Sequence, residues 1–257
     1  MTRTEATPGY GVLGLPPVTV GEFAREGAGT APHPLVVAID GTSGSGKSTT
    51  AKALAREMGG DYVDTGAMYR AVAWWMLREG VDLGQPADIA AAMQGVDIAV
   101  VPDPSGFAVS CNGHDVTTSI RSVAVTEAVS AVAAVPEVRA MLCEYQRSLA
   151  AAAAATGRAM VMEGRDIGTV VLPNADLKIW LTADVAARAA RRAGDGEGPV
   201  SDTSARLITR DLLDSTRAVS PALKDPDAIE IDTTHIAVDA VVADVVALAL
   251  EAQRRRA

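Results

Sequence analysis

A glycine-rich segment that ends in a lysine and a serine could hold the phosphates of a nucleotide. It matches G-x-x-x-x-G-K-[ST] at every fixed position and reads Gly41-Thr42-Ser43-Gly44-Ser45-Gly46-Lys47-Ser48. Glycines let backbone N–H groups curl around a phosphate, and a following helix N-terminus adds partial positive charge. Lys47 can reach the β and γ phosphates, and the Ser48 hydroxyl can hold Mg²⁺. We therefore expect residues 41–49, ending at Thr49, to bind a nucleoside triphosphate with Mg²⁺.

The flanking sequence places this loop at the end of a buried strand. Residues 35–39 are continuously apolar, which suits a strand buried on both faces. Residues 48–58 have helical spacing, and Gly59-Gly60 ends that helix. An ordinary glycine- and serine-rich turn is the alternative to a phosphate loop. Asp40 stands directly before the loop, where it could orient Mg²⁺-bound water or, equally well, cap the loop.

Strand and helix patterns alternate along most of the remaining chain. Short apolar runs predict strands at residues 62–63, 159–162, 177–181 and 229–231. Helical spacing predicts helices at residues 67–79, 123–134, 137–155, 185–192, 201–216 and from 236 onward. The helix at 201–216 is expected to use Ser201 or Asp202 as its N-cap. Such alternation predicts an α/β fold, a three-layer arrangement with a parallel, five-stranded sheet.

Two stretches depart from this alternation. Residues 81–120 contain two short strand-like runs and the tight-turn pair Asn112-Gly113, which predicts a small antiparallel insert. Residues 1–34 are rich in Gly, Pro, Thr and Ala, and five prolines interrupt any regular element. We interpret them as a flexible N-terminal extension, with Val18–Val20 as a candidate short strand.

The amino-acid composition limits the classes of protein to which the chain can belong. The 257 residues are 48% hydrophobic, which excludes disorder over the whole chain. Lys and Arg number 23 and Asp and Glu 32, giving a net charge of −9 that disfavours general nucleic-acid binding. Two isolated cysteines fit a reducing cytosol, and the three histidines lack metal-ligand spacing. With no visible targeting segment or membrane span, we expect a cytoplasmic protein that binds neither nucleic acid nor membrane.

Three classes of phosphate-loop protein compete at this point. A GTPase should carry an Asn-Lys-x-Asp segment, and the sequence has none. A motor or regulator usually shows an apolar strand ending in Asp, whereas the run at 159–162 is followed by Glu163-Gly164-Arg165-Asp166. A small-molecule kinase must bring two anionic substrates together and needs several arginines besides Lys47.

Arginines are concentrated in the segments that such a kinase would use. Arg165 follows a predicted strand, at the sheet edge where ligands bind in these folds. The others are Arg70, Arg188, Arg191, Arg192, Arg210 and Arg217. The last five flank the glycine-rich residues 194–199, as a lid that closes over phosphates would require. Solvated helix charges with i,i+4 pairs, such as Arg210–Asp214, are the alternative.

The residues resemble the bacterial cytidylate kinases, a family of nucleoside monophosphate (NMP) kinases, over residues 36–249. The blocks that carry the resemblance are Ile39-Asp40-Gly41 with the phosphate loop, Asp64-Thr65-Gly66-Ala67-Met68-Tyr69-Arg70, Glu163-Gly164-Arg165-Asp166-Ile167-Gly168-Thr169, and Arg210-Asp211 through Asp214 and Arg217 to Ile231-Asp232-Thr233-Thr234. The first block is shared by many phosphate-loop proteins. The second and third, with the 81–120 insert between them, are far more specific.

The resemblance implies a role for each matching residue. Ser130, Arg139 and Asp166 would read cytosine, which suits a base with one amino donor and an acceptor edge. The residues implied to line the acceptor pocket and hold its phosphate and ribose are Thr65, Tyr69, Arg70, Arg165, Arg210, Asp214 and Arg217. Catalytic charge would come from Lys47, Arg165 and the lid residues Arg188 and Arg192. From the residues alone, Ser130 could equally be a tolerated small residue and Tyr69 core packing.

The sequence therefore predicts phosphorylation of CMP and dCMP by Mg²⁺·ATP in a monomeric enzyme. The expected kinase domain is 35–257, with the core at 35–64, 157–184 and 218–257. The NMP-binding region is expected at 65–156, with its insert at 81–120, and the lid at about 185–217. Two rival hypotheses stay open: a kinase for UMP or another small acceptor, and a non-catalytic ATP-sensing module.

Overall fold

The computed structural model describes residues 34–194 and 199–256. Within these ranges the strands, in chain order, are β1 (Val36–Gly41), β2 (Asp61–Asp64), β3 (Ile98–Val101), β4 (Ala108–Cys111), β5 (His114–Asp115), β6 (Met160–Glu163), β7 (Leu177–Thr182) and β8 (Ile229–Asp232). Five of them form one sheet in the order β2-β6-β1-β7-β8, with every neighbouring pair parallel. The predicted five-stranded parallel sheet is confirmed. The extension with its candidate strand Val18–Val20, and residues 195–198, lie outside the described residues.

Helices connect these strands. They are α1 (Lys47–Glu57), α2 (Thr65–Arg78), α3 (Pro86–Ala92), α4 (Val123–Ala133), α5 (Pro136–Ala155), α6 (Val185–Gly194), α7 (Val200–Thr216) and α8 (Val238–Arg256). Short 3₁₀ turns cover Met93–Gly95 and Ser119–Arg121, and a π-helical turn covers Ile167–Val171. Strands β3, β4 and β5 form a separate antiparallel sheet, and Asn112-Gly113 make the tight turn between β4 and β5.

The sheet lies between two apolar layers, which explains the continuous apolar run of β1. Val37 and Ile39 point to one side, where they pack in a cluster with α1 and α8. Ala38 points to the other side, into a larger cluster that includes α2, α4, α5 and the antiparallel sheet. Because both faces of β1 are covered, the strand has no polar alternation. Its carboxyl end delivers the phosphate loop to the edge of the sheet.

The structure corrects two local predictions. Helix α7 begins at Val200 and its N-cap is Pro199, so the prediction of Ser201 or Asp202 as the cap was wrong. Both residues lie inside the first turn, where Ser201 donates to Asp202. Helix α3 was not predicted, because a helix of 7 residues with only Ile89 buried shows little apolar periodicity.

Gly41 has backbone geometry that no other residue type can adopt without displacing β7. Its φ is +144°, and a Cβ placed there would lie 1.9 Å from the Leu181 carbonyl oxygen. That carbonyl also accepts from Thr42 N, at 3.2 Å, so the loop and β7 are joined at this point. Gly46 also has a positive φ, of +94°, yet nothing lies within 4 Å of its virtual Cβ.

Gly41→Ala is therefore expected to lower the free energy of unfolding by more than about 3 kcal/mol, because the new methyl group would force the backbone of residue 41 away from that of Leu181 in β7. Gly46→Ala is the matched control and should cost only about 1–2 kcal/mol of left-handed backbone strain. Urea unfolding midpoints of both variants test this. Equal losses would mean that the approach of β7 does not constrain the loop.

Candidate active site

One cavity of about 620 Å³ opens where the parallel strands end. Most of the residues that the sequence analysis singled out line this cavity. They come from the phosphate loop, the segment after β6 and helices α1, α2, α4, α5, α6 and α7. They are Ser43, Gly44, Ser45, Gly46, Lys47, Ser48, Thr49, Thr65, Tyr69, Arg70, Ser130, Arg139, Arg165, Asp166, Arg192, Arg210, Asp214 and Arg217. Gly41, Thr42, Asp40 and Arg188 are not in its wall.

Lys47 is the first residue of α1 and projects back into the curl of the loop. Its Nζ donates to the Thr42 carbonyl at 2.6 Å, and the residue is 8% exposed. Burial lowers the pKa of Lys47 well below its usual range, and the nearby Arg165 and Arg210 lower it further. An anionic ligand in the loop would favour the charged ammonium. The arrangement therefore suits the binding of an anionic ligand by Lys47.

Two carboxylates end the strands on the far side of β1 from β7. Asp64 closes β2 and Glu163 closes β6, in register with each other. Burial raises the pKa of Glu163, and Asp64 raises it further. Asp64 caps α2 through Ala67 N, at 2.9 Å, and pairs with Arg121 at 2.8 Å. Sequence reasoning gave no role to any of these three, although Glu163 stands in a quoted motif.

Asp40 supports a different loop from the one it precedes. Its Oδ1 accepts from Ile167 N at 2.9 Å, and its Oδ2 from Gly168 N at 2.7 Å. Burial raises the pKa of Asp40 to about 6. Both oxygens thus hold the π-helical turn that follows Asp166, and the suggested capping of the phosphate loop is not what the contacts show. Asp40 positions the segment that carries Arg165 and Asp166.

A second polar group lies deeper in the cavity, around Asp166. Its carboxylate hydrogen-bonds to the Arg139 guanidinium and lies 3.5 Å from Arg217. Arg139 also donates to the Ala133 carbonyl at 3.2 Å and lies 5.2 Å above the centre of the Tyr69 ring. Residues from α2, α5, the segment after β6 and the end of α7 therefore meet at one buried ion pair. Tyr69 contributes both to the core and to this wall.

A third group connects α7 to the sheet edge through Asp214. Arg165 Nε donates to Asp214 at 3.0 Å, Ser130 Oγ lies 3.5 Å away, and Arg210 Nε lies 3.8 Å away. Arg165 also donates to the Gly41 carbonyl at 2.6 Å. Ser130 thus contacts Asp214 here, so its small side chain has a polar partner. The i,i+4 pair of Arg210 and Asp214 exists, and it faces the cavity instead of solvent.

Positive charge accumulates in this part of the wall. Burial, together with the neighbouring Arg165 and Arg70, lowers the pKa of Arg210 to about 9. Burial likewise lowers the pKa of Arg70 to about 10, with Arg121 as the next contributor. Arg70 is held by Thr126 Oγ1 at 2.7 Å. Because these guanidiniums repel one another, bound phosphates would stabilise the charged site.

Arg188 and Arg192, both on α6, occupy different places. Arg192 donates to Ser43 Oγ at 3.1 Å and lines the cavity. Arg188 is 4% exposed and lies behind the phosphate loop, where it donates to the Ser43 carbonyl at 3.0 Å. It also pairs with Asp211 of α7 at 2.5 Å. Arg188 therefore joins α6, α7 and the loop, and the sequence did not reveal the contact with Asp211.

The other end of the cavity is apolar. Ile236, Val238 and Val241 line it, beside Thr233. Thr233 Oγ1 donates to the Ser45 carbonyl and accepts from Arg191, each at 3.1 Å. These residues come from the last loop and α8. Sequence reasoning missed them, except for the quoted Thr233, because apolar residues at helical spacing look like core packing.

The fold and cavity define a P-loop protein, and the comparisons identify its family. The cytidylate kinase family model matches residues 37–251. A cytidylate kinase of Streptomyces griseus subsp. griseus is 52% identical over 220 residues, which cover 85% of this chain and 94% of that protein. A cytidylate kinase of Lactiplantibacillus plantarum is 45% identical over 214 residues, which cover 81% of this chain and 92% of that protein. The chain belongs to the cytidylate kinase family.

Two further findings concern overall shape and membranes. An unliganded sugar kinase from Janibacter sp. HTCC2649 aligns over 87% of this chain and 98% of its own, with 16% identity and a TM-score of 0.44. A likeness at that level supports no functional argument. In the ranges 34–194 and 199–256, no helix is long and apolar enough to cross a membrane.

Proposed function

We propose that the protein transfers the γ-phosphoryl group of ATP to CMP and dCMP, giving ADP with CDP or dCDP. The observation that carries this proposal is that one cavity joins the Lys47 loop to the buried Asp166–Arg139 pair. An acceptor phosphate oxygen attacks the γ-phosphorus, and the bond to the ADP oxygen breaks. No covalent intermediate with the enzyme is required, because positioning and charge carry phosphoryl transfer.

The Asp166 group is the proposed site of the cytosine base. Cytosine presents an amino donor at N4 and acceptors at O2 and N3. The Asp166 carboxylate can accept from N4, while the Arg139 guanidinium and the Ser130 hydroxyl can serve the acceptor edge. Arg139 and Arg217 both contact the carboxylate and hold it in place. The pocket therefore selects cytosine over uracil through the N4 amino donor, which uracil lacks.

The arginine-rich wall is the proposed site of the acceptor phosphate and sugar. Arg70 and Arg165 are placed to hold the phosphate of CMP beside the γ-phosphate. Asp214, with Arg210 next to it, is the acceptor available for a ribose hydroxyl. Lys47 and Arg192 border the phosphate loop and would stabilise the charge that develops on the transferred group. Arg188 contributes by holding the loop and the lid together.

Mg²⁺ fits the oxygen donors around Ser48. Magnesium prefers oxygen ligands and usually binds through one or two carboxylates or hydroxyls plus substrate phosphates. Within the described ranges, no group of three His, Cys, Asp or Glu residues could hold a metal alone. We assign Ser48 and Glu163 to the ion, with Glu163 in place of Asp40, whose oxygens are engaged by backbone N–H groups. Mg²⁺ supplies charge neutralisation on the phosphates.

The apolar end of the cavity is the proposed site of the ATP base. Ile236, Val238 and Val241 offer an apolar surface to a flat ring, on the side of the phosphate loop away from Asp166. Arg191 and Thr233 fix this wall to the loop. The two nucleotides would therefore enter from opposite ends and meet at Lys47.

Coupled ADP release with Mg²⁺·ATP and a panel of CMP, dCMP, UMP, AMP and GMP tests the proposal. We expect strong turnover with CMP and dCMP and at least about 100-fold lower kcat/KM with UMP, because uracil lacks the N4 donor. A panel that favours UMP would discard the Asp166 pocket while keeping the kinase. If the protein binds ATP but no acceptor on the panel increases ADP release, the result would instead favour the sensing module.

We also infer a cytoplasmic enzyme, because Cys111 and Cys143 are both buried free thiols, which a reducing compartment preserves. The monomeric state stays a prediction. Light scattering of the full chain would determine the oligomeric state directly.

A further inference from the structure

Tyr62 is a buried residue of the edge strand β2 whose hydroxyl reaches the proposed Mg²⁺ end of the cavity. It does not line that cavity and is 0% exposed. Its O–H donates to Oε1 of Glu163 on the neighbouring strand β6. A phenol carries its proton at neutral pH, so the Tyr62 hydroxyl acts as the donor to this carboxylate. Glu163 is only 4% exposed, and such a carboxylate needs donors to stay fixed.

Two side chains contact the ring of Tyr62. Phe107, in the turn between β3 and β4, meets it edge-on with ring centroids 5.5 Å apart. Lys52 Nζ of α1 lies over the ring, 5.5 Å from its centre. The Tyr62 backbone N–H donates to the Pro102 carbonyl at 3.0 Å. The turn between β3 and β4 therefore contacts the edge strand β2 at Tyr62, the residue that hydrogen-bonds to Glu163.

A second contact fixes the same turn to the helix behind the phosphate loop. Arg56 of α1 donates to the Pro104 carbonyl at 2.8 Å. The 102–107 turn is thus joined to β2 through Tyr62 and to α1 through Arg56. Tyr62 of β2 contacts Glu163, and Ser48 lies on α1. The insert therefore contacts both elements that border the proposed Mg²⁺ site.

We propose that Tyr62 is a positioning residue that holds Glu163 toward the Mg²⁺ site, with Phe107 of the insert fixing the Tyr62 ring. The proposal rests on the assignment of Glu163 to the ion in the proposed function. Without the phenol, the Glu163 carboxylate loses a donor and can turn toward Lys47, its charged neighbour. The insert would then contribute to ATP binding as well as to acceptor binding.

The test is the dissociation constant of ATP with and without Mg²⁺, measured by calorimetry on the full chain. Tyr62→Phe is expected to reduce the tightening of ATP binding by Mg²⁺ about tenfold, the loss typical of an outer-shell partner. Tyr145→Phe is the matched control. It removes a hydroxyl that accepts from Val100 N at 3.2 Å, outside the cavity, and should leave the Mg²⁺ effect unchanged.

Two further variants separate the possible failures. Glu163→Gln should abolish most of the Mg²⁺ effect; if it does not, the assignment of Glu163 to the ion is wrong and the positioning role falls with it. If Glu163→Gln removes the effect but Tyr62→Phe keeps it, only the role of Tyr62 is overturned. Phe107→Leu keeps the hydroxyl and loosens the ring, so a smaller loss in the same direction is expected. An unchanged Mg²⁺ effect in Phe107→Leu would exclude the insert from this support.

Discussion

Lys47→Met is expected to lower kcat for CMP phosphorylation about 1,000-fold, because it removes the cation that meets charge developing on the γ-phosphate. Met keeps the aliphatic stem in a residue that is 8% exposed, so the packing at the start of α1 survives. Burial lowers the pKa of Lys47, so a charged ammonium at this position destabilises the folded protein. The unfolding midpoint should therefore change little or rise. The checks are steady-state kinetics with CMP and a urea melt.

The control for this variant is Lys224→Met. Lys224 pairs with Glu230 at 2.7 Å on the surface, and both side chains are more than 40% exposed. The same chemical change there should leave kcat within a factor of two. Near-normal turnover in Lys47→Met would contradict the role of the loop in catalysis. A large drop in unfolding stability would instead mean that Lys47 is needed to neutralise Glu163, its buried acidic neighbour.

The fold was predictable because its signals are local. The apolar run of β1 needs no alternation when both faces are covered, and it is followed at once by the glycines of the loop. Strands, turn residues and helix periodicity lie within a few residues of one another along the chain. Elements with weak local signals were missed or misplaced, as with α3 and the cap of α7.

The site was only partly predictable, because its most informative contacts join distant residues. Asp40 meets Ile167 across 127 positions, Tyr62 meets Glu163 across 101, and Arg121 meets Asp64 across 57. No spacing rule connects such pairs, so the sequence offered Asp40 only two roles, orienting Mg²⁺-bound water or capping the loop, and it offered Glu163 no partner. The family resemblance supplied Arg139 with Asp166, and the two residues do form one buried pair. Their reading of cytosine stays a prediction.

Asp166→Asn is expected to lower kcat/KM for CMP about 1,000-fold while leaving the dissociation constant of ATP within a factor of three. The change keeps size and shape but replaces one acceptor oxygen by an N–H₂ donor. That donor would face either the Arg139 guanidinium or the cytosine N4 amino group, and both are donors themselves. Uracil carries an acceptor at the same ring position, so the preference for CMP over UMP should narrow sharply. Kinetics with both acceptors and calorimetry with ATP measure these effects.

Asp225→Asn separates base recognition from the general cost of breaking a partly buried ion pair. Asp225 pairs with Lys178 at 2.9 Å, and its side chain is 12% exposed, yet neither residue lines the cavity. Both Asp variants should lose unfolding stability, since each leaves a cation with a weaker partner. Only Asp166→Asn should lose kcat/KM for CMP. If ATP affinity fell as far as CMP use, Asp166 would be supporting the whole cavity through Arg139 and Arg217, and the contact with cytosine would have to come from another residue.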